Sequence, residues 1–224
     1  MNTFKQNKYC VIKKAISSEL ASFCFNYFMM KRDVVAEMFK ANYISPYEEI
    51  FGVWNDRQVP DTYSHYADLV METLLKKVLP VMEKHTNLKL FPTYSYARIY
   101  KKGDILLKHK DRASCKISTT LNLGGDSWPI FLEPNPKKGR TSKDKYIPSK
   151  SKGIQINLEP GDMLVYSGCE LEHWRNKFKG KDCAQVFLHY NEVTEKNAPN
   201  LFDSRPMLGL PSGFKNNNFD YLVK

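Results

Sequence analysis

Three residues of this chain have the side chains and the spacing expected of a metal site. His109 and Asp111 are separated by one residue, and His173 follows Asp111 by sixty-two residues. Two imidazoles and one carboxylate, with the other coordination positions left open, form the donor set of mononuclear non-haem Fe(II) sites. A His-x-Asp pair alone occurs often by chance, so the surrounding sequence must show that these residues can meet.

An extended chain can bring the three residues together. Alternate residues of a β-strand lie on the same face, so His109 and Asp111 can reach one metal ion from a single strand. His173 must then arrive from a strand that the fold places alongside. The alternative interpretation is a pair of surface histidines on an ordinary β-sandwich.

The residues around the three candidates read as short strands joined by turns. Aromatic and β-branched residues favour strands, whereas clusters of Gly, Pro, Asp and Asn favour turns, as at 101–104, 124–126 and 159–162. His173 begins one short strand, and the other predicted strands are 94–100, 105–108, 115–123, 128–132, 154–158, 163–166 and 183–190. Seven or eight such strands indicate a closed or double-sheet antiparallel domain of the jelly-roll or cupin type.

Several motifs occur in a characteristic order. They are Tyr100-x-x-Gly103, His109-x-Asp111, a Gly-Gly turn at 124–125, the segment LEPGDMLVY from 158, and His173. This order resembles the double-stranded β-helix core of Fe(II)- and 2-oxoglutarate-dependent dioxygenases, nearest the prolyl-4-hydroxylase-like branch. The resemblance covers roughly residues 94–191, about half of the chain, and the LEPGDMLVY segment makes it specific.

The resemblance implies a cofactor set and a reaction. Fe(II) would be held by His109, Asp111 and His173, 2-oxoglutarate would chelate it as co-substrate, and O2 would take the remaining position, with ascorbate a further candidate. The products would be succinate, CO2 and a substrate hydroxylated at an unactivated C–H bond. The protein's part is to present neutral imidazoles and an ionised carboxylate, and to exclude water.

The residue that anchors 2-oxoglutarate departs from the family pattern. The family usually places Lys or Arg nine or ten residues after the distal histidine, but this chain has Asp182 and Cys183 there. Arg175 and Lys181 are the substitutes, and Arg175 is favoured because its planar guanidinium suits a carboxylate and shares a strand face with His173. The alternative interpretation of Arg175 is a surface arginine in the basic stretch 175–181.

Other polar residues receive roles from the same resemblance. Tyr100 and Thr120 correspond to positions that hydrogen-bond the co-substrate, and Gln185 is either a further donor or a core-facing spacer. The remaining histidines are predicted to be structural or surface residues in helix or loop (His65, His85) or a core residue late on the last strand (His189). A substrate-side position is the alternative for His189.

The N-terminal part is predicted to be helical. Ser17 and Ser18 can cap a helix that continues to about Ala41. Residues 42–62 read as irregular, and their run FGVWNDRQVP is a candidate to cover the mouth of the site. A second helix is predicted from about 66 to 85, interrupted or ended near Pro80.

The chain is predicted to form one α+β, mainly β domain over residues 1–224. Residues 1–92 would provide helical support and an irregular segment, and 93–192 the double-stranded β-helix core with a basic loop at 134–152. Residues 193–224 would be an extension that wraps the surface. With 224 residues, of which 42% are hydrophobic, the chain can bury a substantial core.

Composition also suggests where the protein works. The opening segment is too polar for a secretory signal, and no apolar run is long enough for a membrane span. Five widely spaced cysteines form no disulfide framework. The sequence therefore predicts a cytoplasmic protein without membrane contact.

The positive charge is concentrated in one segment. The net charge is +10, and residues 137–152 hold seven basic residues against the single acid Asp144. This segment has little apolar material and is predicted to be a mobile loop within the β core. Beside an active-site mouth it would attract an acidic partner or nucleic acid. The alternative is a solvated insertion without a partner.

The most favoured function is a prolyl (peptidyl) hydroxylase that acts on a peptide or protein. A nucleic-acid or small-metabolite hydroxylase or demethylase of the same superfamily is the first alternative. A non-catalytic, cupin-like metal-binding protein is the alternative from another class, and the missing anchor at 182–183 is the feature that supports it.

Overall fold

A computed structural model describes residues 4–45, 48–143 and 145–214. The α-helices are α1 (Phe4–Asn7), α2 (Ser18–Lys40) and α3 (Leu69–Thr86). The strands are β1 (Tyr9–Ile12), β2 (Ser64–Tyr66), β3 (Leu90–Lys101), β4 (Leu106–His109), β5 (Ile117–Gly125), β6 (Ile130–Leu132), β7 (Arg140–Ser142), β8 (Lys145–Ile147), β9 (Ile154–Ile156), β10 (Met163–Ser167), β11 (His173–Arg175) and β12 (Asp182–Glu192). Short 3-10 segments occupy Ala113–Cys115, Glu195–Ser204 and Ser212–Phe214.

Two antiparallel sheets form the core. The larger has the strand order β1-β10-β5-β12-β3-β2, and the smaller has the order β4-β11-β6-β9. Leu132 of β6 packs in one cluster with Leu164 and Tyr166 of β10, so the sheets face each other across a shared core. This arrangement confirms the predicted α+β, mainly β fold with a double-stranded β-helix core.

The two faces of the larger sheet have different chemistry because side chains alternate along a strand. On one face Ala97, Leu121 and Val186 pack in the same cluster as residues of α2 and α3. The other face points between the sheets and carries polar and aromatic side chains, including Tyr100 and Thr120. The outer face therefore stabilises the fold, and the inner face is available for a site.

Helix α2 begins where the sequence predicts, because Ser17 Oγ accepts a hydrogen bond of 3.2 Å from the Leu20 amide. The predicted start of the second helix was wrong. Residues 64–66 pair with β3 as strand β2, and the helix begins at Leu69 after the Asp68 side chain accepts hydrogen bonds from the Val70 and Met71 amides. The carboxylate thus satisfies amides that a helix start leaves unpaired.

Pro80 does not end α3, contrary to one prediction. The helix continues to Thr86, and Asn87 closes it in the left-handed conformation with φ 58°. Pro80 is exposed, whereas Val78 and Met82 on either side of it are buried. Packing of this apolar face outweighs the local cost of proline.

The basic loop is also more ordered than predicted. Strands β7 and β8 form a hairpin in which Thr141 pairs with Tyr146. Lys143 adopts φ 47° at the turn, and the flanking Thr and Tyr favour extended backbone.

The C-terminal extension does more than wrap the surface. Asn197, Asp203 and Arg205 are buried, so residues 195–214 belong to the packed structure, and residues 215–224 of the extension lie outside the described ranges. In the part of the chain that the structure describes, each helix is too short or too polar to cross a bilayer.

Candidate metal centre

The three predicted ligands meet at one end of the space between the sheets. His109 is the last residue of β4, His173 is the first of β11, and the two are paired across these neighbouring strands. Asp111 lies just beyond β4, where its amide donates a 2.9 Å hydrogen bond to the Gly168 carbonyl. Strand pairing therefore supplies the convergence that the sequence alone leaves open.

The donor atoms lie close enough for one metal ion. Asp111 Oδ1 is 3.6 Å from His109 Nε2 and 3.4 Å from His173 Nε2, and one ligand atom from each residue lies within 4.8 Å of the others. Ligands bound at about 2.1 Å to one ion are separated by about 3 Å, so a small inward adjustment suffices. Two nitrogens and one carboxylate oxygen fit Fe(II) and leave other coordination positions open.

Both histidines present the correct nitrogen. His109 Nδ1 is 2.7 Å from the Leu107 carbonyl, and His173 Nδ1 is 3.0 Å from the Leu171 carbonyl. A carbonyl oxygen only accepts, so each Nδ1 carries a proton and each Nε2 is the nitrogen that faces the centre.

Asp111 is oriented by a residue that the sequence did not single out. Ser118 Oγ, on β5, donates a 2.7 Å hydrogen bond to Asp111 Oδ2. Oδ1 then faces the two imidazoles. Ser118 Oγ also lies 3.1 Å from His189 Nδ1, which links a further buried histidine to the centre.

The electrostatics prepare the site for a cation. Burial and, to a smaller extent, the neighbouring His173 lower the pKa of His109 to about 4. Burial alone would raise the Asp111 pKa, but the two histidines hold it well below its usual range. Burial lowers the His173 pKa, yet Asp111 outweighs this effect and raises it. A metal ion would thus take the place of the His173 proton beside an ionised carboxylate.

The run FGVWNDRQVP, residues 51–60, contributes to the mouth of the site. Asp56 and Gln58 line the cavity, and Gln58 Nε2 is 3.1 Å from His109 Nε2, the candidate ligand atom. Gln58 must therefore turn away when His109 binds a metal ion. The contact arises from tertiary packing, and no local motif indicates it.

The cavity beside the ligands has a volume of about 310 Å³. Much of its wall is aromatic, and Lys110, Arg112 and His189 add polar groups; the aromatic side chains are Tyr94, Tyr96, Tyr100, Tyr166 and Phe187. Such a concave site with a few convergent polar groups is typical of small-ligand binding.

Arg175 is not a surface residue. Only 1% of it is exposed, and its Nη2 donates to Thr120 Oγ1 and Gln185 Oε1, both at 3.1 Å. Its Nη1 donates to the Trp128 carbonyl, and its Nε has no hydrogen-bond partner among the residues that the structure describes. Among the described residues no carboxylate pairs with Arg175, and burial lowers its pKa. A buried, uncompensated guanidinium of this kind is costly unless an anion joins it.

The other predicted co-substrate residues fall into two groups. Thr120 and Gln185 contact Arg175, and Thr120 Oγ1 also donates to Gln185 Oε1 at 3.0 Å. Tyr100 is fully buried in the cavity wall. Lys181 is exposed, and its hydrogen bond to Asp126 is made by the backbone amide.

A second buried arginine, Arg98, was not predicted from the sequence. Arg98 Nη1 donates 3.2 Å hydrogen bonds to Tyr100 Oη and Gln58 Oε1, and its Nη2 donates to Asp56. Its alternation with Tyr96 and Tyr100 on one face of β3 is a signal that could have found it.

The other three histidines are not in the group of candidate ligands, and His65 lies in β2 rather than in helix or loop. It is buried, and its Nδ1 lies 3.1 Å from Asp68. His85 is exposed in the last turn of α3. His189 is buried on β12 and lines the cavity, where its ring packs on Tyr94 at 4.5 Å.

No protein-family model matches the chain, and no curated protein matches it in sequence. Solved structures do match. A prolyl-4-hydroxylase of Pseudomonas putida has a TM-score of 0.50 at 13% identity, covering 85% of this chain and 96% of its own.

Two further structures extend the likeness. The epimerase SnoN of nogalamycin biosynthesis, in complex with Fe3+, α-ketoglutarate and nogalamycin RO, has a TM-score of 0.61 at 11% identity over 85% of this chain and 81% of its own. The collagen prolyl hydroxylase of Paramecium Bursaria Chlorella virus-1, a 2-oxoglutarate complex, has a TM-score of 0.52 at 11% identity over 86% and 100%. The chain therefore has the double-stranded β-helix fold of iron- and 2-oxoglutarate-dependent oxygenases.

Proposed function

We propose that this protein is an Fe(II)- and 2-oxoglutarate-dependent dioxygenase that hydroxylates an unactivated C–H bond. The observation that carries the proposal is the convergence of His109, Asp111 and His173, with three potential ligand atoms within 4.8 Å of one another beside a cavity. The fold of the matched oxygenases supports the same conclusion.

His109, Asp111 and His173 would hold the iron. The bound iron, with 2-oxoglutarate and O2 as co-substrates, would supply the oxidative chemistry, and the products would be succinate, CO2 and the hydroxylated substrate. The chain's own contribution is positioning. The carbonyls of Leu107 and Leu171 hold the imidazoles in the required tautomer, and Ser118 holds the carboxylate. The aromatic wall limits access of water to the reacting bond.

Arg175 would anchor the distal carboxylate of 2-oxoglutarate. Its guanidinium is buried, lacks a carboxylate partner among the described residues, and is held by Thr120 and Gln185. A charge-assisted hydrogen bond is strong in such a poorly hydrated place. Tyr100 would contribute its hydroxyl from the neighbouring wall. Lys181 is a weaker candidate because it is exposed.

The proposed substrate is a prolyl residue of a peptide or protein. Two of the matched structures are prolyl hydroxylases. The aromatic side chains of the cavity, including Tyr96 and Phe187, offer flat apolar surfaces of the kind that bury a small saturated ring.

A small metabolite is the second candidate substrate. The observation that favours it is the likeness to SnoN, whose structure holds nogalamycin RO. A peptide and a metabolite would share the metal centre and differ in their use of the surface around the mouth.

Turnover tests the proposal. Protein supplied with Fe(II), ascorbate and 2-oxoglutarate should release succinate, and a proline-rich peptide should stimulate release more than free amino acids or methylated oligonucleotides. Asp111→Ala should abolish turnover because the iron loses its carboxylate ligand. Asp33→Ala, at an exposed carboxylate on α2, is the matched control and should leave turnover unchanged.

Each result bears on a different part of the proposal. Succinate release stimulated by a metabolite instead of a peptide would replace the substrate class and keep the enzyme class. No succinate under any condition would overturn the enzyme assignment in favour of a non-catalytic metal-binding protein.

A further inference from the structure

Residues 137–143 and 145–152, here called the basic hairpin because they contain β7 and β8, present an unusual surface. The seven basic side chains of the hairpin are all exposed: Lys137, Lys138, Arg140, Lys143, Lys145, Lys150 and Lys152. None of them forms an ion pair with another residue in the described ranges 4–45, 48–143 and 145–214. The charge of the hairpin is therefore available to a partner.

The basic hairpin is attached to the metal centre on two sides. Lys110, between two of the ligands, donates hydrogen bonds to the Pro136 and Gly139 carbonyls at 2.9 and 3.1 Å. Glu172, the residue before His173, accepts from Tyr146 Oη at 2.9 Å and from the Ser149 amide at 2.8 Å. Both attachments are next to iron-ligand candidates, so the hairpin is held beside the mouth of the cavity.

Glu172, the acidic residue that holds the hairpin, does not cancel the positive charge of the basic hairpin. Glu172 is buried, and Lys108 Nζ lies 3.8 Å from its carboxylate. Lys108 also donates to the Ser149 carbonyl at 2.9 Å. The Glu172 charge is thus neutralised inside the structure, while the basic side chains point to solvent.

We propose that the basic hairpin binds an acidic segment of the substrate peptide, next to the residue that enters the cavity. This inference rests on the proposed function and adds the substrate's charge to it. Complementary charge at the rim of a site raises the rate of encounter and selects the partner. The substrate would therefore carry Glu or Asp, or phosphorylated residues, near the hydroxylated position.

A peptide fits the surface better than a nucleic acid. Proteins that follow a nucleic-acid strand combine basic side chains with aromatic side chains on which bases stack. Tyr146 is the aromatic residue of the basic hairpin, and its hydroxyl is bound to Glu172. A basic surface that offers no aromatic ring for stacking is better suited to a peptide that carries several carboxylates.

Protection of the hairpin edges does not explain the charge. Within the described residues β7 and β8 pair only with each other, and lysine at an open edge can discourage aggregation. Charges of either sign would serve that purpose. Seven bases against one acid instead fit a negatively charged partner.

Binding can be measured independently of turnover. The probe is a fluorescent peptide of alternating glutamate and proline, compared with the matching lysine–proline peptide and with a single-stranded oligonucleotide of equal negative charge. Fluorescence anisotropy should show binding of the acidic peptide that weakens as salt rises. Lys138→Gln, Arg140→Gln and Lys145→Gln together should weaken it about tenfold.

The control neutralises the same charge elsewhere. Lys76→Gln, Lys77→Gln and Lys84→Gln lie on exposed positions of α3 and should leave peptide affinity within about twofold, since their charges are remote from the mouth. Both variants should keep the KM for 2-oxoglutarate. Equal loss of affinity in the two variants, tighter binding of the oligonucleotide, or no peptide binding would each overturn the inference. Absence of succinate from the wild-type protein would instead refute the proposed function, whatever the anisotropy shows.

Discussion

Arg98 and Arg175 are both buried, but their charges are balanced differently. Arg98 donates to Asp56, so its charge is compensated within the protein. Within the described residues, Arg175 donates only to neutral acceptors, which are Thr120, Gln185 and the Trp128 carbonyl. A buried cation without a counterion is retained at a cost in stability. This difference is the reason for assigning the co-substrate carboxylate to Arg175.

Substitution of Arg175 tests this assignment. Arg175→Gln should raise the KM for 2-oxoglutarate by about 10- to 100-fold, the range expected for loss of a hydrogen bond to a charged group. Lys181→Gln is the matched control and should change the KM little, because Lys181 is exposed. Steady-state kinetics on variants shown to be folded by circular dichroism give the comparison. A larger effect of Lys181→Gln would move the anchor to Lys181.

Ser118 provides a second test close to the metal. It donates to Asp111 Oδ2, and loss of such a supporting hydrogen bond commonly weakens metal binding by about 10- to 100-fold. Ser118→Ala should show this loss when Mn(II) binding is measured by calorimetry. The exposed Ser127→Ala should bind as the wild type does. Unchanged affinity in Ser118→Ala would remove Ser118 from the metal centre.

Among the elements, α3 depends on one carboxylate more than its sequence suggests. Asp68 caps the helix through Oδ1, while Oδ2 accepts from Tyr27 at 2.7 Å and from Lys31 at 2.5 Å. Burial would raise the Asp68 pKa, but His65 and Lys31 hold it well below its usual range. The start of α3 and the contacts with Tyr27 and Lys31 therefore depend on the same ionised carboxylate, that of Asp68.

This pKa shift predicts the direction of a pH dependence. The pKa of Asp68 is lower in the folded state than in the unfolded state. Its contribution to the free energy of unfolding is therefore complete above the unfolded pKa, about 4, and is lost as the pH falls below that value. Asp68→Asn keeps a capping side chain but should lower the free energy of unfolding by about 2 kcal/mol at neutral pH.

Urea denaturation as a function of pH gives the measurement. The variant should lose less stability than the wild type on acidification below pH about 4, since the shifted carboxylate is gone. Asp33→Asn, at an exposed pair on α2, should change stability little. A parallel pH profile in Asp68→Asn and wild type would show that Asp68 does not carry the dependence.

Local patterns predicted those elements whose signal is contained in neighbouring residues. The alternation around Tyr100, the turn at 159–162 and the Ser17 cap all have local causes, and the predicted strands agree with the structure there. Strand β2 was missed because it has only three residues and depends on pairing with β3. Ser118 and Gln58 were missed for a similar reason, since their contacts with the ligands cross long stretches of sequence.

Across the whole molecule, the C-terminal segment connects the metal centre to the helical side. Asp203 accepts a pair of 2.7 Å hydrogen bonds from Arg112, which follows the proposed ligand Asp111. Two residues later, Arg205 Nη2 binds Glu72 of α3 at 2.7 Å with both side chains buried. Residues 195–214 are thus a structural part of the domain.

Loss of the Arg205 pair should destabilise the entire fold. Arg205→Ala leaves Glu72 buried without its counterion, which should lower the free energy of unfolding by about 3–5 kcal/mol. Lys196→Ala, at an exposed position of the same segment, should have an effect below about 0.5 kcal/mol. Urea denaturation compares the two. Equal stability of both variants would mean that the C-terminal segment does not contribute to the cooperative unit.

The most direct test of the metal centre is anomalous diffraction at the iron edge from crystals grown anaerobically with Fe(II). One strong peak should lie within bonding distance, about 2.0–2.2 Å, of His109 Nε2, Asp111 Oδ1 and His173 Nε2, with Gln58 turned away from His109. The peak should disappear in Asp111→Ala crystals prepared in the same way. A peak bound by other residues, or none in the wild-type protein, would contradict the assignment of this site.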